Sequence, residues 1–406
     1  MKILMINKFF YRRGGSETYM FNLKKNLKSM GHQVIEFSMN DEKNEASEFT
    51  GYFIKNINFS KKEGILKDLK KVCHLLYSTE AKNKLAALIK KEKPDIAHLH
   101  NIRFQLTPAI IKVLNKYNIP VVWTMHDYQL VCPNYLLFTQ NKVCERCKKY
   151  KFYNCFKYNC LKNSRPMSFL AMLEMYLHKI ILKSYAKIDL LIAPSKFMQS
   201  KLEEWGIEAS KIKQLYYSLD LKKSGQETDL GQGLLYFGRL SKEKGLETLL
   251  AAMKDLPNIN LKIVGEGPQE ALLLKYIEAN NLKNVELLGY KSGEELNNII
   301  KSARFVVLPS IWYENNPLAI LEAFSQGKPV IGSDLGGIPE LVQENKTGFL
   351  FEPGNASQLK DKIQTNYQQS ELIKQMGQNA MNFVAENCSP EYHGQQIEKF
   401  YQNLKK

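Results

Sequence analysis

Short apolar runs alternate with segments of helical periodicity along most of the chain. The runs predict strands near residues 2–6, 33–39, 96–100, 121–126 and 188–194, then, after a connection around 216–230, near 233–238, 260–264, 285–289, 305–309, 329–333 and 348–351. Between them lie amphipathic stretches. After Gly14-Gly15-Ser16-Glu17, the positions Tyr19, Met20, Leu23 and Leu27 recur at helical spacing up to Gly31, and a second helix is predicted from Leu246 to about Met253. Strands that alternate with helices in both halves predict an α/β chain with two parallel-sheet, Rossmann-like domains. The boundaries are read as 1–216, 217–385 and a C-terminal helix, 386–406, expected to pack back toward the N-terminal domain.

Composition narrows the class. A hydrophobic content of 44% in 406 residues suits a packed globular chain. No apolar run approaches a membrane span, and Ile3–Ile6 is too short for a signal-peptide core, so a cytoplasmic protein is expected. Charge is uneven: residues 1–200 hold 34 Lys and Arg against 15 Asp and Glu (+19), whereas 201–406 hold 23 against 26 (−3). Segment 61–76 would place Ile65, Leu66, Leu69, Val72, Cys73 and Leu76 on one stripe flanked by Lys67, Lys70 and Lys71. Such a helix packs on its own domain or lies on an anionic membrane; with the charge asymmetry, a peripheral location at the inner face of the cell membrane is expected.

Two motifs in the C-terminal half carry chemistry. In Glu314-Asn-Asn-Pro-Leu-Ala-Ile-Leu-Glu322, Asn316 suits an N-cap and Pro317 the first helical position, so Glu314 is expected in the preceding loop and Glu322 within the helix. The amides around Asn316, Pro317 and Leu318 would then face a phosphate, with a carboxylate on either side for sugar hydroxyls. Taken alone, the segment fits an acidic first turn with one surface glutamate equally well. About seventy residues earlier, a strand runs into Gly238-Arg239-Leu-Ser-Lys-Glu-Lys244-Gly245, and Val264-Gly265-Glu266-Gly267-Pro268 lies between. A guanidinium fork and a mobile ammonium at a strand-to-helix turn can neutralise a diphosphate.

Together these motifs resemble the family-4 retaining glycosyltransferases, whose two Rossmann-like domains face each other across a cleft in the GT-B arrangement. The resemblance covers essentially the whole chain. It implies Arg239 and Lys244 at the leaving diphosphate, Glu314 at the donor hexose and Glu322 at the nucleotide ribose. In the N-terminal half, Gly14-Gly15 resembles the family's glycine loop over the donor phosphate, and His126 of Val121-Val-Trp-Thr-Met-His126-Asp127 the histidine beside the transferred sugar. The base is expected near Gly265, Gly267 and Tyr290. Tyr217-Ser218-Leu219-Asp220 departs from the family's frequent Asn-Gly-Val-Asp. No Asp-x-Asp occurs, consistent with transfer that requires no cofactor, the cations and helix-start amides doing what Mg²⁺ does elsewhere.

Five of the seven cysteines lie in a Lys- and Tyr-rich insertion, 132–160. Cys144, Cys147, Cys155 and Cys160 are spaced to enclose a structural zinc, in preference to disulfides in a cytosolic chain, with four unligated thiols as the alternative. The expected function is metal-independent, retaining transfer of a hexose from a nucleotide-diphosphate sugar, UDP by default, to a lipid-linked or saccharide acceptor in cell-surface polysaccharide biosynthesis. Two other classes remain open: a nucleotide-sugar epimerase or hydrolase on the same architecture, and a basic, cysteine-knuckled nucleic-acid binder. The second leaves the paired glutamates and the Arg239/Lys244 turn unexplained.

Overall fold

A computed structural model describes residues 1–57, 64–219 and 230–404, apart from the side chains of 65–68. The side chains of stripe positions Ile65 and Leu66 and of the flanking Lys67, and all of Asp220, therefore lie outside the described residues.

Two units account for the chain. The first comprises Met1–Thr139, Cys144–Ser218 and Pro390–Lys406, and the second Gln140–Val143 and Leu219–Ser389. In the first unit, strands β1 (Lys2–Ile6), β2 (Gln33–Phe37), β3 (Ile96–Leu99) and β4 (Val121–Thr124) are followed by two short strands at the cysteine segment, β5 (Phe138–Thr139) and β6 (Lys142–Val143), and then by β7 (Leu190–Ala193) and β8 (Ile212–Gln214). The sheet order is β2-β1-β3-β4-β7-β8, with every pairing parallel. Strand β8 is an addition to the five expected: three residues with one buried side chain give too short an apolar run to read. Helix Gly15–Ser29 buries Tyr19, Met20, Leu23 and Leu27 as its periodicity requires. The C-terminal helix Pro390–Leu404 buries His393, Ile397 and Tyr401, and Gly394 lies where a Cβ would meet Asn26 Nδ2 at 2.6 Å, so it packs tightly on the Gly15–Ser29 helix.

The second unit contains β9 (Leu234–Phe237), β10 (Leu261–Val264), β11 (Val285–Leu287), β12 (Phe305–Leu308), β13 (Val330–Ser333) and β14 (Gly348–Phe351), in the order β11-β10-β9-β12-β13-β14, again all parallel. Strands β9 and β12 are buried throughout, as expected of central parallel strands covered on both faces. In both sheets the strand order reverses beside the first strand, between β1 and β3 and between β9 and β12. Open parallel sheets bind ligands outside the carboxyl ends of the strands at that point.

Helix Ile65–Leu76 forms, but among its described side chains the expected stripe is not the buried face. Leu69 and Cys73 are exposed and Leu75 is buried, with His74 Nε2 bonded to the carbonyl of Gln105 at 2.9 Å.

Candidate active site

At the switch point of the second unit, β9 ends in Gly238-Arg239 and β12 leads into Pro309–Glu314. Gly245 makes the junction possible. Its φ is +68°, and a Cβ there would lie 1.9 Å from the Pro309 carbonyl oxygen. With Ile311 N donating to Glu243 O at 2.9 Å, the Lys244-Gly245 turn seats on the segment after β12. Lys244 Nζ consequently reaches Glu314 Oε1 at 2.6 Å, and Ser310 Oγ donates to the same oxygen at 2.7 Å. Glu314 is only 4% exposed. Burial pushes its carboxyl up, but attraction to Lys244 and hydrogen bonds from Lys244 and Ser310 outweigh it and hold the group below the usual carboxylate range. The exposed Arg239 has no ion pair among the described residues.

The helix after Glu314 begins one residue later than expected. It spans Leu318–Ser325 with Pro317 as its N-cap, and no side chain caps it. Pro317 has extended backbone (φ −69°, ψ 114°), which shifts Asn316 out of the capping position. Asn316 is 4% exposed, and neither Oδ1 nor Nδ2 has a partner. Leaving such groups unpaired costs roughly 1–3 kcal/mol each, so this amide is held for atoms the protein does not supply. One turn on, burial pushes the Glu322 carboxyl up to about 7.

Gly265 and Gly267 shape the Arg239 turn: Cβ atoms there would meet Gly238 O at 1.9 Å and Leu240 O at 2.3 Å, and Leu240 N donates to Glu266 O at 2.9 Å. Tyr290, which follows the left-handed Gly289, is 66% exposed. Sequence reading missed a second pair, Gly336-Gly337, just after β13. Gly337 N donates to Glu314 O at 2.7 Å, and a Cβ on Gly337 would lie 1.9 Å from Asn315 O. A glycine doublet after a strand, the signal read at Gly14-Gly15, was also present here.

In the first unit, Gly15 opens its helix and Gly14 precedes it in extended conformation. His126 follows β4. Its Nδ1 lies 2.7 Å from Tyr217 OH and its Nε2 3.0 Å from His100 Nδ1, while Tyr19, from the Gly15 helix, packs on the ring at 5.3 Å. Burial lowers the His126 pKa to about 3. The ring is therefore neutral and both nitrogens are engaged. Beside it, burial raises Asp127 to about 6 against the attraction of Lys8.

The cysteine expectation requires correction. All seven thiols are free, and among the described residues no group of three or more His, Cys, Asp or Glu side chains is disposed to hold a metal ion. The expected zinc site at Cys144, Cys147, Cys155 and Cys160 is therefore not supported. Cys155 and Cys160 hydrogen-bond to each other, and Cys132 Sγ, outside the expected set, donates to Asn134 Oδ1 at 2.8 Å. The segment has apolar support of its own, with Leu137, Phe152 and Leu161 buried, Phe152 against Tyr176 at 5.3 Å and Arg146 over Tyr158 at 4.0 Å.

Comparison with known proteins agrees with this geometry. The profile of Glycosyltransferase Family 4 matches residues 13–223, and that of Glycosyl transferases group 1 matches residues 221–383. An uncharacterized glycosyltransferase of Methanocaldococcus jannaschii is 27% identical across 94% of this chain and 93% of its own length. The amylovoran biosynthesis glycosyltransferase AmsK of Erwinia amylovora is 32% identical over 43% of this chain and 46% of its own. The fold is shared with HepE of Anabaena, solved in complex with UDP and glucose, at a TM-score of 0.69 and 19% identity over 99% of this chain and all of that one. With one profile matching more than half of the chain and the other spanning the second sheet, the chain belongs to glycosyltransferase family 4, is a glycosyltransferase, and has the GT-B fold class of two parallel-sheet α/β domains.

Proposed function

We propose that this enzyme moves a hexose from a nucleoside-diphosphate sugar, with uridine as the base, to a hydroxyl of a saccharide or lipid-linked acceptor, with retention and without a catalytic metal. The observation that carries this reading is the Lys244–Glu314 pair at the β9/β12 switch point, beside the exposed Arg239 and the unpartnered Asn316 amide. Arriving phosphates compete with Glu314 for Lys244 and pair with Arg239. The carboxylate so released accepts hydrogen bonds from the hexose, and Glu322 accepts them from the ribose. As the glycosidic bond breaks, negative charge grows on the diphosphate, where the two cations stabilise the transition state more than the ground state.

His126, neutral and with both nitrogens engaged, is a poor general base. The proton of the acceptor hydroxyl passes instead to the departing phosphate as attack proceeds from the same face. His126 and the Gly14-Gly15 loop are assigned to the transferred sugar and donor phosphate, and the first unit to the acceptor. HepE, solved with UDP and glucose, and AmsK, of amylovoran biosynthesis, support a UDP-sugar donor and a role in assembling a cell-surface glycan. The +19 charge of residues 1–200, with Leu69 58% and Ile181 70% exposed, supports peripheral docking on an anionic membrane. Among the described residues no helix is long and apolar enough to cross one.

A thermal-shift screen of nucleotide sugars tests the donor. The true donor at a hundred times its dissociation constant adds ~2.7 kcal/mol of stability; if no UDP-, GDP- or dTDP-sugar raises the melting temperature, the reading fails.

Glu322 gives a pH signature. Its folded pKa, about 7, is raised above the ordinary carboxylate value, so the folded state holds the proton longer than the unfolded one. The stability Glu322 contributes is therefore full below the unfolded pKa and falls as pH rises through about 7. Ribose hydroxyls donate to the ionised carboxylate, so UDP affinity should rise between pH 6 and 8 more steeply in wild type than in Glu322→Gln; the titration of the phosphate is common to both. Parallel affinity curves by calorimetry would reject the ribose role.

A further inference from the structure

We propose that Tyr217, backed by His100, is the positioning residue that fixes the His126 ring for sugar transfer. This rests on the reading that puts His126 beside the transferred sugar. Tyr217 OH and His100 Nδ1 take the two imidazole nitrogens from opposite sides at 2.7 and 3.0 Å. The His100 ring stacks on His126 at 5.2 Å with an interplanar angle of 24°, and Tyr217 lies over it at 5.5 Å and 34°. Tyr19 closes the remaining side, 4.7 Å from Tyr217 and 5.3 Å from His126.

Two proton orders satisfy this chain. Either Tyr217 donates to Nδ1 and Nε2–H donates to His100, or His100 donates to Nε2 and Nδ1–H donates to the phenol oxygen. In both, His126 carries one proton and both nitrogens are occupied. His100 Nε2 is buried without a partner in either order, a cost of the kind tolerated when surrounding structure fixes a functional group. The anchoring continues outward: His98 stacks on His100 at 4.7 Å and is held by Tyr401 OH at 2.6 Å and Thr124 Oγ1 at 2.7 Å. The C-terminal helix thus belongs to the support of the ring. Tyr217 also stands where the sequence departs from the family's frequent Asn-Gly-Val-Asp.

Tyr217→Phe keeps every ring contact and removes one oxygen. The test compares wild type, Tyr217→Phe, His126→Ala and the double variant in release of UDP from UDP-glucose. A second measurement follows the ¹⁵N resonances of the His126 ring in the full chain labelled at histidine. The expected wild-type ring is a single neutral tautomer from pH 5.5 to 8, and Tyr217→Phe shifts its Nδ1 resonance. UDP release should fall about tenfold at unchanged KM, and the double variant should be no slower than His126→Ala. A resonance unmoved by Tyr217→Phe overturns the proposal. So does a double variant in which the two losses multiply, the mark of a merely structural tyrosine. If His126→Ala releases UDP at the wild-type rate, the placement of His126 beside the sugar fails, and the proposal with it. If wild type releases no UDP, the donor assignment is wrong and the resonance measurement decides alone.

Discussion

Replacing Lys244 with alanine should lower sugar transfer on the order of 10²–10³-fold, the range for removing one preorganised group that stabilises transition-state charge. Arg239→Ala should fall in the same range, but the two variants should differ in stability. Arg239 is exposed without an ion pair among the described residues, so its loss touches only the diphosphate and leaves the melting temperature unchanged. Lys244 is bonded to Glu314 at 2.6 Å. Its removal leaves a buried carboxylate with Ser310 as its remaining close donor, at a cost of roughly 1.5–3 kcal/mol. The sign follows from the lowered Glu314 pKa: that group contributes stability above its unfolded pKa and loses it as pH falls through the folded one. The Lys244→Ala deficit should therefore be largest near neutrality and shrink in acid, as read from melts at pH 4 and 7. Wild-type turnover in both variants would remove the diphosphate assignment.

What the sequence reveals here is what depends on local pattern. Central parallel strands such as Val121–Thr124 and Phe305–Leu308 are continuous apolar runs, and the Gly15–Ser29 helix has a clear buried stripe. The Arg239–Gly245 turn and the Glu314–Glu322 spacing were legible because each is a short local motif that follows a strand end. The helix start was misplaced by one residue, since both Asn316 and Pro317 suit positions at a helix entry and only the backbone at Pro317 decides between them. The short β8 has too few apolar residues to register.

The remaining discrepancies come from tertiary context. Cysteine spacing indicates which thiols can come near one another, but not which pair, here Cys155 and Cys160, comes within hydrogen-bond reach. Helical periodicity for 61–76 does not say that Leu75, rather than Leu69, finds a neighbour. The shell around His126 unites Tyr19, His100 and Tyr217, which are distant in sequence. Gly245, Gly265 and Gly337 are required by the approach of another backbone; their motifs mark them, but which backbone approaches is set by tertiary packing.

Gly337→Ala puts the last of these to the test. Gly337 has φ −84°, a conformation open to alanine, so any effect comes from space alone. The added methyl would sit 1.9 Å from Asn315 O, 3.0 Å from Asn315 C and 3.2 Å from Glu314 O. These are backbone atoms, which cannot swing aside as a side chain would. The Glu314–Asn316 segment must therefore move, and the 2.7 Å bond from Gly337 N to Glu314 O stretches or breaks. Overpacking of this kind costs about 1–3 kcal/mol, and a displacement of about 1 Å at a positioning group lowers turnover by roughly 10²-fold. Gly51→Ala is the control, because nothing lies within 4 Å of the Cβ it adds and its backbone is not left-handed; it should melt and turn over as wild type. A folded Gly337→Ala protein with wild-type transfer would show that the glycine pair does not hold Glu314 in place.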